Sequence, residues 1–290
     1  MSELLRLDRV TKTYRQRRRE VTAVDDVSLT LGSEQIVCLV GESGSGKSTV
    51  GRIVTGLTDP TRGDVVYDGV RARELGRRGL RKRRLGVQLI QQDPYASLNP
   101  GLTVQEALVA PLRRHLRLPS AAARARANDL LADVGLTPDT FARKYPHELS
   151  GGQRQRVAIA RSLTVEPRVL VADEAVSMLD VSIRVSVLQK LRGLCEDRQL
   201  AVLFITHDLA VASQFGRDHS IAVMQHGRIV EHRPTHELVS DPQHAYTRAL
   251  LAAARHEGLR SGSTAEPPVV HLHRTDRSRR EPAPDIKKKE

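Results

Sequence analysis

"QIVCLVGESGSGKSTV", Gln35–Val50, decides the architecture. Its apolar run, "IVCLV" at Ile36–Val40, reads as a strand covered on both faces. The run leads straight into Gly41, Glu42, Ser43, Gly44, Ser45, Gly46, Lys47, Ser48 and Thr49, which match G-x-x-x-x-G-K-[ST] between a strand and a helix. Glycines let a backbone wrap a phosphate with its N–H groups turned inward. Lys47 is then placed to bridge β- and γ-phosphates, and the Ser48 hydroxyl to bind Mg²⁺. The helix that follows is predicted over Lys47–Gly56, closing at glycine. By itself this stretch specifies a nucleoside triphosphate, since kinases, GTPases, helicases and transport ATPases all use such a loop.

Upstream of it, apolar alternation at Leu4–Val10 and Val24–Leu31 predicts half-buried antiparallel strands. Downstream, "GDVVYDG" and "VQLI" (Val87–Ile90) predict two short strands. From about Pro94 to Leu163 the pattern turns helical, with helices predicted over Val104–Leu116, Ala121–Val134 and Gly152–Leu163. Strand-like runs return in "RVLVAD", "AVLFIT" and "IAVMQHGRIVE". The pattern is that of an α/β core with a buried, largely parallel sheet, interrupted by a helical insert. A last helix is predicted over His244–Ala254. Residues 256–290 lack aromatics and are rich in charge, Pro, Ser and Gly, so they read as a basic, disordered tail.

Two further stretches carry chemistry. In "VLVADE", Val169–Glu174, a buried strand delivers a carboxylate at its C-terminal end. Asp173 is placed there to hold Mg²⁺ through water, and Glu174 to orient or deprotonate an attacking water. In "ELSGGQRQR", Glu148–Arg156, a serine and two glycines open a helix. They form a second set of bare N–H groups suited to an anion, far along the chain from the first.

"LSGGQ" at Leu149–Gln153 lies between the other two motifs and resembles the signature of ABC-type ATPases. The resemblance covers about residues 4–255. It implies an α/β P-loop NTPase (ABC ATPase) core with an antiparallel β subdomain and an inserted helical subdomain at about 94–163. It also implies roles for residues that pattern alone does not assign. Tyr14 matches the aromatic that stacks on adenine. Gln92 matches the Q-loop glutamine, which serves both metal binding and catalysis. "SMLD", Ser177–Asp180, resembles the D-loop, with Asp180 near nucleotide. His207 in "ITHD" matches the switch histidine. In this family two cassettes pack head to tail. Ser150, Gly151, Gly152 and Gln153 of one chain would then close over the ATP held by the phosphate loop of the other. ATP and Mg²⁺ are the implied cofactors.

Three flanking strings resemble the ATP-binding subunits of oligopeptide/dipeptide and nickel importers: "QDPYASLNP" (Gln92–Pro100), "YPHELSGGQRQRVAIARSL" (Tyr145–Leu163) and "PQHAYTRALLAA" (Pro242–Ala253). The tyrosine in the first looks more like the second of the two ATPase subunits such systems have. The implied partners are another ABC ATPase subunit, identical or similar, two transmembrane permease subunits and an extracytoplasmic substrate-binding protein. The implied location is the cytoplasmic face of the cell membrane. Departures are Gln91 where an apolar residue is usual, Ala175 and Ala245 where proline is usual, and Met178 where alanine is usual. Some relatives carry a C-terminal cysteine cluster; this sequence has none, so no iron–sulfur centre is expected. Exporter ATPases share the motor, and "YTRALL" favours import.

Composition bounds the rest. The 290 residues are 39% apolar and 3% aromatic, with a net charge of +12. No apolar run exceeds six residues, as at Ala249–Ala254, too short to span a membrane, and the first ten residues hold no leader-like apolar segment. Arg71–Arg84 carries +7 of the charge without interleaved aromatics for base stacking, so no nucleic-acid partner is expected. A nucleic-acid-associated relative would need two cassettes or long coiled-coil arms, which are not found here. The segment reads instead as a solvated face, or one turned to anionic lipid headgroups. Cys38 lies in an apolar strand-like run and Cys195 in a helix-like one, and both read as buried thiols, in keeping with a reducing cytoplasm.

Overall fold

The computed structural model describes residues 3–16 and 19–260. Strands β1 (Glu3–Gln16) and β2 (Arg19–Gly32) form an antiparallel ribbon whose register sets Leu7 opposite Leu29 and Tyr14 opposite Val21. Both are longer than the alternating stretches that predicted them. Strand β3 (Ile36–Val40) runs into the glycine loop, and helix α1 (Lys47–Val54) leaves it. Strands β4 (Arg62–Tyr67) and β5 (Val70–Arg71) complete a four-stranded sheet of order β2-β1-β4-β5. Helix α2 (Arg77–Gly86) leads to β6 (Val87–Ile90). The helical insert then follows as α3 (Pro94–Ser97), α4 (Val104–His115), α5 (Ser120–Asp133), α6 (Pro138–Phe141) and α7 (Gly151–Leu163). Strand β7 (Val169–Asp173), α8 (Val181–Asp197), β8 (Ala201–Thr206), α9 (Leu209–Phe215), β9 (Ser220–Gln225), β10 (Arg228–Pro234), α10 (Thr235–Ser240) and α11 (Ala245–Arg260) close the chain.

The second sheet has the order β10-β9-β3-β8-β7-β6 and is parallel except for the edge strand β10. Strand β3 sits inside it, and its side chains alternate between two cores. Val37 and Leu39 pack with Val50, Ile53 and Val54 of α1 against the antiparallel sheet. Ile36, Cys38 and Val40 join the core that continues into the helical insert through Leu108, Leu130 and Val157. Burial on both faces explains why the run is continuously apolar rather than alternating. The described chain up to Ala254 forms one compact unit.

The basic segment is where the structure departs from a wholly solvated or lipid-facing surface. Arg77–Gly86 is helical, and Arg83 is 4% exposed. Its guanidinium donates from Nη2 to the carbonyls of Ile53 at 2.9 Å and Val54 at 3.4 Å. The last carbonyls of a helix lack partners inside it, and Arg83 supplies a charged donor to those of α1. Lys82 is also engaged, pairing with Asp68 at 3.0 Å.

Two helix ends differ from expectation. Helix α1 stops at Val54, and Gly56 lies beyond it at φ +72°, where the chain turns over Arg83. Helix α11 runs to Arg260, past the predicted end at Ala254. The rest of the tail, residues 261–290, lies outside the described residues. Both cysteines are buried free thiols, and burial pushes the Cys195 thiol up to about 12 and Cys38 upward also. Among the described residues no helix is long and apolar enough to cross a membrane.

Candidate functional site

Three parallel strands end side by side and each hands over a different group. Val40 of β3 pairs with Thr206 of β8, and Asp173 of β7 pairs with Ile205. The next residues along are Gly41, His207 and Glu174. Crevices outside the carboxyl ends of parallel strands are where open α/β sheets bind ligands.

The loop Gly41–Thr49 requires glycine where it touches its surroundings. At Gly46, φ is +106°, and a Cβ there would lie 2.1 Å from the Ala23 carbonyl oxygen. Strand β2 thus passes directly against the loop. Gly46 caps α1, whose first N–H groups, at Lys47, Ser48 and Thr49, have no acceptor inside the helix. Together with the macrodipole they make an anion site.

Lys47 is 4% exposed, and its ammonium donates to Gly41 O at 2.8 Å, Glu42 O at 2.7 Å and Ser45 Oγ at 3.4 Å. Burial lowers its pKa, opposed by the carboxylates of Glu174, Asp173 and Glu42. Ser48 Oγ donates to Asp173 Oδ1 at 3.1 Å, which joins two hard oxygen donors from α1 and β7, 125 positions apart. Burial raises the Asp173 carboxyl, opposed first by that hydrogen bond. The donor set suits a nucleotide's phosphates, and the Ser48–Asp173 oxygens suit Mg²⁺. Among the described residues no cluster of three His, Cys, Asp or Glu side chains could hold a metal unaided.

Glu174 stands at φ +47°, a left-handed conformation costly for a non-glycine residue. Hydrogen bonds on both sides hold it there. Its N–H donates to Ile205 O at 2.9 Å, and its carbonyl accepts from Ser177 N at 3.1 Å and Ser177 Oγ at 3.0 Å. The turn projects the carboxylate beyond the strand end. Gln92 Nε2 donates to Glu174 Oε2 at 2.9 Å, and His207 Nδ1 lies 3.3 Å from Oε1. Each carboxylate oxygen therefore has its own orienting partner. A cavity of about 20 Å³, lined by Glu174, Ser177, Arg184, Thr206 and His207 among others, has room for one water. Gln92 Nε2 also donates to Ser177 Oγ at 3.4 Å, and no described hydrogen bond joins Gln92 to Ser48 or Asp173.

The second glycine stretch opens α7. Ser150 is the N-cap, its Oγ accepting from Gln153 N at 3.3 Å while Gln153 Oε1 accepts from Ser150 N at 3.0 Å. This reciprocal cap leaves the N–H groups of Gly151 and Gly152 without acceptors inside the helix. Gly152 is buried against α8, and a Cβ there would lie 2.5 Å from Ile183 Cγ2. Ser150 and Gly151 are exposed. No described hydrogen bond joins this stretch to the loop Gly41–Thr49 of the same chain.

Tyr14 lies opposite Val21, close along the ribbon to Ala23, with the Lys12 ammonium 5.2 Å from its ring centroid. Asp180 is exposed at the N-cap of α8 and makes no side-chain cap there. Two features of this region carried no signal in the motifs. One is the strained φ of Glu174. The other is Arg184, whose guanidinium pairs with Asp208 at 3.6 Å and donates to Leu179 O at 3.3 Å, tying the Ser177–Asp180 turn to the residue after His207.

Residues 24–177 match a family model described as ABC transporter. The glutathione import ATP-binding protein of Escherichia coli K12 is 48% identical over 235 residues, which are 81% of this chain and 37% of that protein. The chain thus spans little over a third of that relative's length. A probable peptide ABC transporter ATP-binding protein of Sinorhizobium fredii is 46% identical over 81% of this chain and 65% of its own. Among solved structures, a dimeric ATP-binding cassette in a post-hydrolysis state, bound to ADP and Pi, is 33% identical. It superposes with a TM-score of 0.72, covering 80% of this chain and 99% of that one.

Proposed function

The chain belongs to the ABC transporter family, and from that premise we propose that it binds and hydrolyses ATP as the motor subunit of a membrane importer of peptide-class solutes. The observation that carries the reading is the Gln92–Glu174–His207 cluster, set beside the Ser48–Asp173 pair and the buried Lys47. The phosphate chain of ATP lies on the N–H groups of the loop and of the head of α1. Lys47 exchanges its carbonyl acceptors for β- and γ-phosphate oxygens. Ser48 and Asp173 would hold Mg²⁺, which when bound would supply charge neutralisation on the transferring group. Glu174 takes a proton from the attacking water as the water oxygen bonds to the γ-phosphorus and the bond from that phosphorus to the bridging oxygen breaks, releasing ADP and phosphate. Gln92 and His207 keep the carboxylate aimed. Tyr14 stacks on the adenine.

Ser150, Gly151, Gly152 and Gln153 serve the nucleotide of a second cassette, with Asp180 at the same interface. The free N–H groups at the head of α7, with no bond to the chain's own loop, support that arrangement. A mixed dimer tests it. Ser150→Arg sets a bulky cation where close approach is needed, and Lys47→Ala disables a phosphate loop. Pairing a Ser150→Arg chain with a Lys47→Ala chain places both lesions at one site and leaves the other intact. Nucleotide-dependent dimer closure is expected in the mixture and absent from either mutant homodimer. A mixture no better than the Ser150→Arg homodimer would contradict the reading. If the native second cassette is a distinct subunit, the matching loops are mutated there.

The relatives named for glutathione and peptide transport support the cargo class. The cassette then sits at the cytoplasmic face of the membrane through permease subunits, with a binding protein delivering solute outside. Vesicles holding this chain with its permease are expected to accumulate labelled glutathione or dipeptide only when ATP reaches the cassette. ATP turnover without uptake of either would redirect the cargo assignment.

A further inference from the structure

The string "PQHAYTRALLAA" singled out in the sequence has a structural counterpart next to the nucleotide site. Tyr246, in the first turn of α11, reaches the start of the phosphate loop, and the Glu42 N–H donates to its Oη at 3.0 Å. The same residue's carbonyl, Glu42 O, accepts from the Lys47 ammonium at 2.7 Å and from Ser45 N at 3.2 Å. One residue of the loop is therefore gripped on its N–H by α11 and on its carbonyl by the lysine.

The start of α11 is itself anchored. Glu231 of β10 is 8% exposed and accepts from the N–H groups of Gln243 at 2.9 Å and His244 at 3.0 Å. His244 Nδ1 accepts from Tyr246 N at 3.2 Å, and the tyrosine ring packs on the larger core. The phenol is thus held from a direction independent of the loop it touches. Burial raises the pKa of the phenol, opposed by the Glu42 N–H bond and reinforced by the Glu42 carboxylate.

We propose that Tyr246 is a positioning residue of the nucleotide site, its hydroxyl fixing the Gly41–Glu42 turn so that the loop is preset for phosphate. The inference rests on the ATP-binding reading above. A preset loop spends less free energy ordering on binding. Removing the hydroxyl therefore weakens nucleotide affinity and leaves the chemical step, which belongs to Glu174, alone.

Tyr246→Phe retains the ring and removes the acceptor. Its KM and calorimetric Kd for ATP are expected to rise about 3–10-fold, the range for one neutral hydrogen bond, with kcat within about twofold and an unchanged melting temperature. The penalty should persist in a Glu42→Gln background, because the main-chain N–H remains when the carboxylate is removed. Equal ATP affinity in wild type and Tyr246→Phe overturns the proposal. So does a penalty that vanishes with Glu42→Gln, or a fall in kcat matching the loss of affinity. A wild-type chain that binds no ATP would instead sink the underlying reading, and this proposal with it.

Discussion

Glu174→Gln is expected to bind ATP and to hydrolyse it about 10²–10⁴-fold more slowly, the loss typical of a removed general base. The substitution preserves size and lets Gln92 still donate to an oxygen at the same place. What it removes is the negative charge and the basic lone pair beside the water-sized cavity. The strained turn should survive, since it is held by backbone contacts to Ile205 and Ser177 that do not involve the carboxylate. A rate loss of this size corresponds to roughly 3–5 kcal/mol of transition-state stabilisation. Because ATP persists, the variant should accumulate as closed, nucleotide-bound dimers on size-exclusion chromatography. Phosphate release at the wild-type rate would remove Glu174 from the base role.

Lys47→Ala should fail one step earlier. The ammonium is buried and held by the carbonyl oxygens of Gly41 and Glu42, which aim it across the mouth of the loop. Charge-assisted bonds to phosphate are worth about 1.5–3 kcal/mol each, and losing one to two of them weakens ATP binding by about 10–10⁴-fold. The lysine neutralises phosphate charge in the ground state as well as in the transition state. The defect is therefore expected in Kd, measured by calorimetry, rather than in turnover alone. Affinity within twofold of wild type would contradict the role given to Lys47. The contrast separates the two residues: Glu174→Gln retains nucleotide, whereas Lys47→Ala does not.

Much of the site was legible because its parts obey local rules. A five-residue apolar run followed by glycines and Lys-Ser is a strand, a turn and a helix start whatever else the chain does. "VLVADE" likewise ends a buried strand on two carboxylates, and Ser150 with Gln153 writes a helix cap into four residues. Those stretches pointed to the α/β class and to Lys47, Ser48, Asp173 and Glu174 at the strand ends, whereas Gln92 and His207 were assigned only by the family resemblance. Their meeting was a matter of tertiary structure. Ser48 and Asp173, or Gln92 and Glu174, come together only because β3, β8, β7 and β6 lie parallel with their carboxyl ends in register. The left-handed turn of Glu174 depends on acceptors and donors from Ile205 and Ser177, so no propensity of the residue itself announced it. Arg83 reads as one more solvated arginine in a basic run until α2 brings it to the end of α1, where the carbonyls of Ile53 and Val54 accept from the guanidinium. Tyr246 and Glu42 are 204 positions apart. Periodicity and motif spacing report each segment's own conformation and which of its faces is apolar, while a contact between distant segments follows from how the sheet and helices close on their cores.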